Sequence, residues 1–139
     1  MMKRLPNWRT RLHEAVEARR RVPFSFATGA DCALFAADCV ESMTGTDLAA
    51  LYRGRYSTEI GALRLLRGEG FASVADLAAA NLDEIHPVRA RAGDVAFIPD
   101  DSAFGGALGI VIGEQIACLH PNGIGAVQRT LMTRAFRVP

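Results

Sequence analysis

The stretch Pro23–Cys39, PFSFATGADCALFAADC, limits what this chain can fold into more than any other. A short aromatic segment, Phe24 to Phe26, runs into a turn at Thr28, Gly29 and Ala30. Asp31 then stands where a helix cap belongs, and an alanine-rich apolar run follows. Leu34, Ala37 and Val40 recur at helical spacing, which predicts a helix over Ala33–Met43 with Cys32 in its first turn. The free N–H groups and dipole of a helix N-terminus favour a thiolate and lower a cysteine pKa. A thiolate so placed suits nucleophilic catalysis, with a histidine brought from a distant strand. The opposing expectation is a small apolar side chain in a core, a common fate of cysteine.

A chain of 139 residues is expected to form one domain, 1–139. Half of it is apolar, 22% is charged and the net charge is +1, so nothing in the composition points to nucleic acid. No run of about 18 apolar residues suggests a membrane span, and the first 21 positions lack the apolar core of a signal peptide. The three cysteines cannot all pair within one chain, and Cys32 and Cys39 lie two helical turns apart, too far to bridge.

Before the Cys32 helix, Asn7 to Arg20 reads as a helix, with Trp8 on the core, His13 on the surface and Arg19 to Arg21 a solvated end. After it, Gly45 stops the helix and Asp47 to Tyr52 is expected as a short one. Thr58 caps a helix over Glu59–Arg67, and Ser73 opens another over Val74–Ala80. A short piece around Leu82–Ile85 ends at His86 and Pro87, with His86 structural or exposed. The second half reads as strands: Val95–Ile98, Leu108–Ile112, Ile116–His120, Ala126–Arg129 and Ala135–Val138. Asp94 is expected to tie the Gly93 turn through backbone N–H groups, and Gly105 and Gly106 to form a flexible lip. Helices first and an antiparallel meander afterwards is an α+β order.

With those elements placed, the sequence resembles the NlpC-type branch of papain-fold cysteine peptidases. FSFATGADCALFAAD resembles the family's aromatic–Gly–x–x–Asp–Cys segment, RAGDVAFIP its Gly-Asp turn into the first strand, and ALGIVIG the strand that opens with the catalytic histidine. The match runs from about 23 to 120 and implies an α+β, papain-like domain, N-terminal helices packed on a small antiparallel sheet. Within that branch the resemblance is to a divergent phage-associated family of unknown function, carried by PFSFATGADCALFAAD, GTD, RGRY, GFASV, ALGIVIG and AFRV. It implies a tail-tip or baseplate component of a long-tailed phage or gene transfer agent. Its location would be the virion tail tip, its partners tail hub or baseplate proteins, and its target peptidoglycan peptide.

One departure bears on chemistry: the family's histidine position falls on Ala107, and a methyl group takes no proton from a thiol. His120 is the candidate substitute. A two-residue loop at Glu114 and Gln115 would pair Gly113 with Ile116 and set His120 opposite Gly109, on the face of Ala107; a three-residue loop would turn it away. The expected cleft therefore has Cys32 and His120 as catalytic candidates and Asp31, Ala107 and Gly109 along it, although for Asp31 the helix cap is the reading that needs no further assumption. Cys118-x-His120 is too small a set for a structural zinc site, so no metal and no cofactor is expected. Three functions stay open: a tail-tip part without turnover, an active peptidase or amidase on peptidoglycan, and a non-phage cysteine amidase or acyltransferase.

Overall fold

The computed structural model describes residues 2–28, 30–120 and 123–139, and of His120 the backbone alone. Four helices, α1 (Trp8–Arg19), α2 (Cys32–Thr44), α3 (Glu59–Gly68) and α4 (Val74–Asn81), precede or flank one sheet. Its strands are β1 (Asp83–Ile85), β2 (Val95–Pro99), β3 (Gly106–Val111), β4 (Gln115–His120), β5 (Gly123–Gln128) and β6 (Arg134–Arg137). They lie in the order β1-β6-β2-β3-β4-β5, every neighbour antiparallel. This is the expected α+β architecture, with the meander β2 to β5 followed by a return of β6 to the far side of β2.

The helices start where capping chemistry places them. Asp31, Thr58 and Ser73 each accept a backbone N–H from the first turn of α2, α3 and α4, and Gly45 ends α2 at φ 83°. α2 is the central helix. Its Phe35, Cys39, Val40 and Met43 are buried against the sheet residues Val95, Phe97, Leu108, Ile110 and Phe136. Burial of a side chain such as Phe35 contributes about 2–3 kcal/mol. α1 packs across α2 through Leu12 and Val16, with Trp8 half-buried beside them and His13 exposed. The opposite face of the sheet carries a smaller cluster of Ala96, Val111, Ile116, Cys118, Met132 and Ala135.

Several expectations need correction. Asp47 to Tyr52 is a series of turns rather than a helix. Asp47 accepts the Ala49 N–H and pairs with Arg53, so local side-chain bonds replace a helical ladder; Leu48 and Ala49 still pack inward while Leu51 points into solvent. Arg19 is not a solvated end: with Arg53 it pairs with Asp38 of α2. The piece at 83–85 is a sixth strand, paired with β6. Gly106, expected in a loose lip, is buried at the start of β3 opposite Pro99.

The β3–β4 hairpin does have a two-residue loop, but it sits one residue earlier, at Gly113 and Glu114. Ile112 donates its N–H to the Gln115 carbonyl at 2.9 Å, and Val111 pairs with Ile116. Gly113 has φ 128°, so the turn begins at the residue that adopts such a conformation freely. The pairing is shifted by two residues from the expected register, with Ile110 opposite Ala117 and Val111 opposite Ile116, so the expected pairing of His120 with Gly109 does not hold.

Candidate active-site cleft

Ser25 and Ala30 exchange backbone hydrogen bonds of 2.9 and 2.8 Å, closing the aromatic segment into a small loop just before α2. That loop delivers Asp31, which is 3% exposed, in the extended conformation of an N-cap. Asp31 Oδ1 accepts the Leu34 N–H at 3.0 Å, and Oδ2 accepts the Tyr56 hydroxyl. The carboxylate is therefore both helix cap and cleft wall, and the two expectations for it coexist. Phe26 stacks on Phe104 at 5.9 Å, lies 6.5 Å from Tyr56 and meets Phe24 edge-on at 5.2 Å, forming an aromatic rim.

Cys32 follows as the first residue of α2, half-buried. Beside the reading as a small buried side chain, the sequence allowed a thiol acidified by the helix terminus. Instead burial pushes it up to about 11, with the charges of Asp31 and Asp100 adding to the rise; hydrogen bonds from the backbone of Leu108 and Ala33 pull the other way without prevailing. Cys32 keeps some surface as a residue, but its sulfur sits among enough protein atoms for desolvation to govern it. Burial pushes the Tyr56 hydroxyl up as well, and the Asp31 charge beside it adds to that. Cys118, fully buried on the opposite sheet face, is pushed to about 12, chiefly by burial.

A cavity of about 130 Å³ opens beside Cys32. α2 lines it with Cys32, Ala33, Ala36, Ala37 and Val40, α3 with Ala62, Leu65 and Leu66, and α4 with Val74, Leu77 and Ala78. Phe26, Asp31, Tyr56, Phe104 and Leu108 surround its Cys32 end. Its polar groups are few and the walls are aliphatic or aromatic, the kind of space that water leaves empty.

The structure thus brings Cys32 and Asp31 together. Ala107 and Gly109 do not line the cavity: Leu108 does, and strand alternation puts its two neighbours on the other face. A Cβ at Gly109 would meet Cys118 Sγ at 2.6 Å, which fixes that face. The backbone of His120 ends β4 opposite Gly123, and its side chain lies outside the described residues. Neither of the other histidines lines the cavity; the Nδ1 of exposed His86 accepts the Val88 N–H and caps a short turn. Among the described residues no three His, Cys, Asp or Glu side chains gather as a metal site. Sequence reasoning missed Tyr56 as the partner of Asp31 and Phe104 as part of the rim. Tyr56 had one signal, its place in the RGRY segment.

A family model described as a domain of unknown function, DUF6950, matches residues 3–138. No curated protein matches the sequence. Among solved structures, the NlpC/p60 domain of the peptidoglycan hydrolase SagA is similar at TM-score 0.54 and 15% identity, over 93% of this chain and 97% of that one. RipD from Mycobacterium tuberculosis, described as a non-catalytic NlpC/p60 domain protein adapted to peptidoglycan binding, is similar at TM-score 0.58 and 14% identity, over 97% of this chain and 100% of that one. The likeness is one of fold: this is an NlpC/p60-type α+β domain.

Proposed function

The chain belongs to the DUF6950 family, and we propose that it is a tail-tip or baseplate component of a phage or gene transfer agent whose NlpC-type domain holds peptidoglycan peptide without cleaving it. The observation that carries the loss of turnover is the pairing of Ala107, where the related enzymes place their base, with a Cys32 thiol pushed up to about 11. A protonated thiol is a poor nucleophile, and expulsion of an amine also needs an acid. The fold likeness to a non-catalytic, peptidoglycan-binding protein agrees with this reading. The phage setting and its hub or baseplate partners rest on the resemblance of the RGRY, GFASV and AFRV segments.

The experiment incubates the purified protein with peptidoglycan sacculi and measures both co-sedimentation and released peptide. Saturable co-sedimentation without release is the expected result. Release that disappears in Cys32→Ala would overturn the reading in favour of hydrolysis. The rival reading rests on His120, whose side chain lies outside the described residues, so His120→Ala belongs in the same series. The tail assignment is tested by mass spectrometry of purified particles, where the chain is expected in the tail fraction and its absence would sink the assignment.

A further inference from the structure

We propose that the cavity beside Cys32 is a binding slot for a single unbranched aliphatic chain carried on a neutral polar head, a ligand beyond the wall peptide of the functional reading. Its shape comes first. The lining residues of α2 run from Cys32 to Val40, about 12 Å along the helix axis at 1.5 Å per residue. An extended chain laid along that span meets the lining residues of α2 from one end to the other, whereas a compact ring system of similar carbon number reaches only part of it. The walls match that occupant. Ala33, Ala36, Ala37, Ala62 and Ala78 stand along the seam between α2, α3 and α4, where larger residues would close it, and leucines complete the sides. α3 lays Ala62, Leu65 and Leu66 over the slot and is held to the cavity by that apolar stripe.

The head group is set by the Cys32 end. There the polar atoms are the Asp31 carboxylate, 3% exposed, and the Tyr56 hydroxyl that donates to it. A second carboxylate beside Asp31 is repelled in this poorly hydrated place, whereas an alcohol, ester or amide is not. A neutral head can donate to Asp31 or accept from backbone, leaving the chain to run along α2.

The test titrates the full chain with n-alkanols from hexanol to dodecanol, with 1-adamantanol as a compact ligand of the same carbon number as decanol, and with decanoate. Affinity is expected to rise roughly fourfold per methylene, the gain for burying one CH2 group, and then to level once the slot is filled. Adamantanol and decanoate should each bind at least tenfold more weakly than decanol, and Asp31→Asn, which retains a capping side chain, should narrow the decanoate gap. Ala37→Leu fills the middle of the slot and should weaken decanol at least tenfold; Leu77→Ala widens it and should improve adamantanol. Absence of saturable decanol binding, equal binding by adamantanol, or affinity independent of chain length would each overturn the proposal. Binding to phosphatidylcholine vesicles that decanol displaces would assign the chain to bilayer lipid, and decanol binding without vesicle binding to a soluble amphiphile; both uphold the slot. Sacculus co-sedimentation is a separate measurement, so either reading can fail alone.

Discussion

At Cys32 a helix terminus and a buried setting act on one sulfur in opposite directions, and burial dominates. The consequence is a thiolate fraction about a hundredfold lower at pH 8 than for a thiol titrating at the ordinary 9.0. Iodoacetamide should therefore modify Cys32 slowly at pH 8, and the rate should keep climbing tenfold per pH unit past pH 9, because deprotonation completes only near 11. A rate that levels near pH 7 would mean an activated nucleophile. The neighbouring pair is equally testable. Asp31→Ala removes the α2 cap, about 1 kcal/mol, and leaves the Tyr56 hydroxyl without its acceptor, so a total near 3 kcal/mol is expected. Tyr56→Phe should cost about 1.5–3 kcal/mol, and the double variant less than the sum, measured as urea midpoints. Strict additivity would show that the pair is not coupled. Asp31 was legible as a cap because its partner amide is three residues away. Its bond to Tyr56 was not, because nothing local links a residue to one in a loop 25 positions on.

Among the elements, those whose boundaries carry their own chemistry were legible. α2, α3 and α4 announce themselves by Asp31, Thr58 and Ser73, and β2 to β5 by apolar runs cut by glycine. β1 has only three residues and exists because β6 pairs with it, a tertiary cause with no local pattern. The hairpin register was legible in parity alone. The two-residue loop length was legible, but the choice between Gly113 and Glu114 as first turn residue shifted the pairing. Gly109 shows what that register costs. Its missing side chain makes room for Cys118, since a Cβ there would lie 2.6 Å from the sulfur, 2.7 Å from the Ala117 carbonyl oxygen and 2.7 Å from Ile116 Cγ2. Gly109→Ala should therefore destabilise by about 1–3 kcal/mol through overpacking. Cys118→Ala in the same chain should recover only part, because the Ala117 carbonyl is backbone and cannot withdraw. A neutral Gly109→Ala in urea unfolding would show that β3 and β4 are further apart than this register requires.

On the scale of the whole molecule, both chain ends converge on one buried carboxylate. Asp94, 1% exposed, accepts from the Arg91 N–H at 2.9 Å, as its turn position suggested, and also from the Val138 N–H at 3.1 Å and from Arg4 Nη2 at 2.9 Å. Arg4 spreads its other nitrogens over the carbonyls of Ala92 and Val138 at 2.8 and 3.0 Å, and its own N–H donates to Pro139 at 2.7 Å. Burial lowers the Arg4 pKa, with the Asp94 charge opposing that. The segment before α1, the entry to β2 and the chain leaving β6 are thereby fixed to each other, and next to Arg4 the Leu5 N–H donates to the Met43 carbonyl of α2 at 2.8 Å. None of this could be read in sequence, where Arg4 is one of many arginines and lies 90 positions from Asp94. Removing the guanidinium leaves a buried carboxylate with two backbone donors and no counter-charge, so Arg4→Met should cost about 3 kcal/mol. Arg4→Lys should recover less than half, because an ammonium cannot reach a carboxylate and two carbonyls from one planar fork. The two variants separate charge from geometry. If lysine restores the urea midpoint fully, the tie is a point charge. If methionine is within about 0.5 kcal/mol of the parent, the convergence of the termini is incidental to stability and the cleft is held by α2 packing alone.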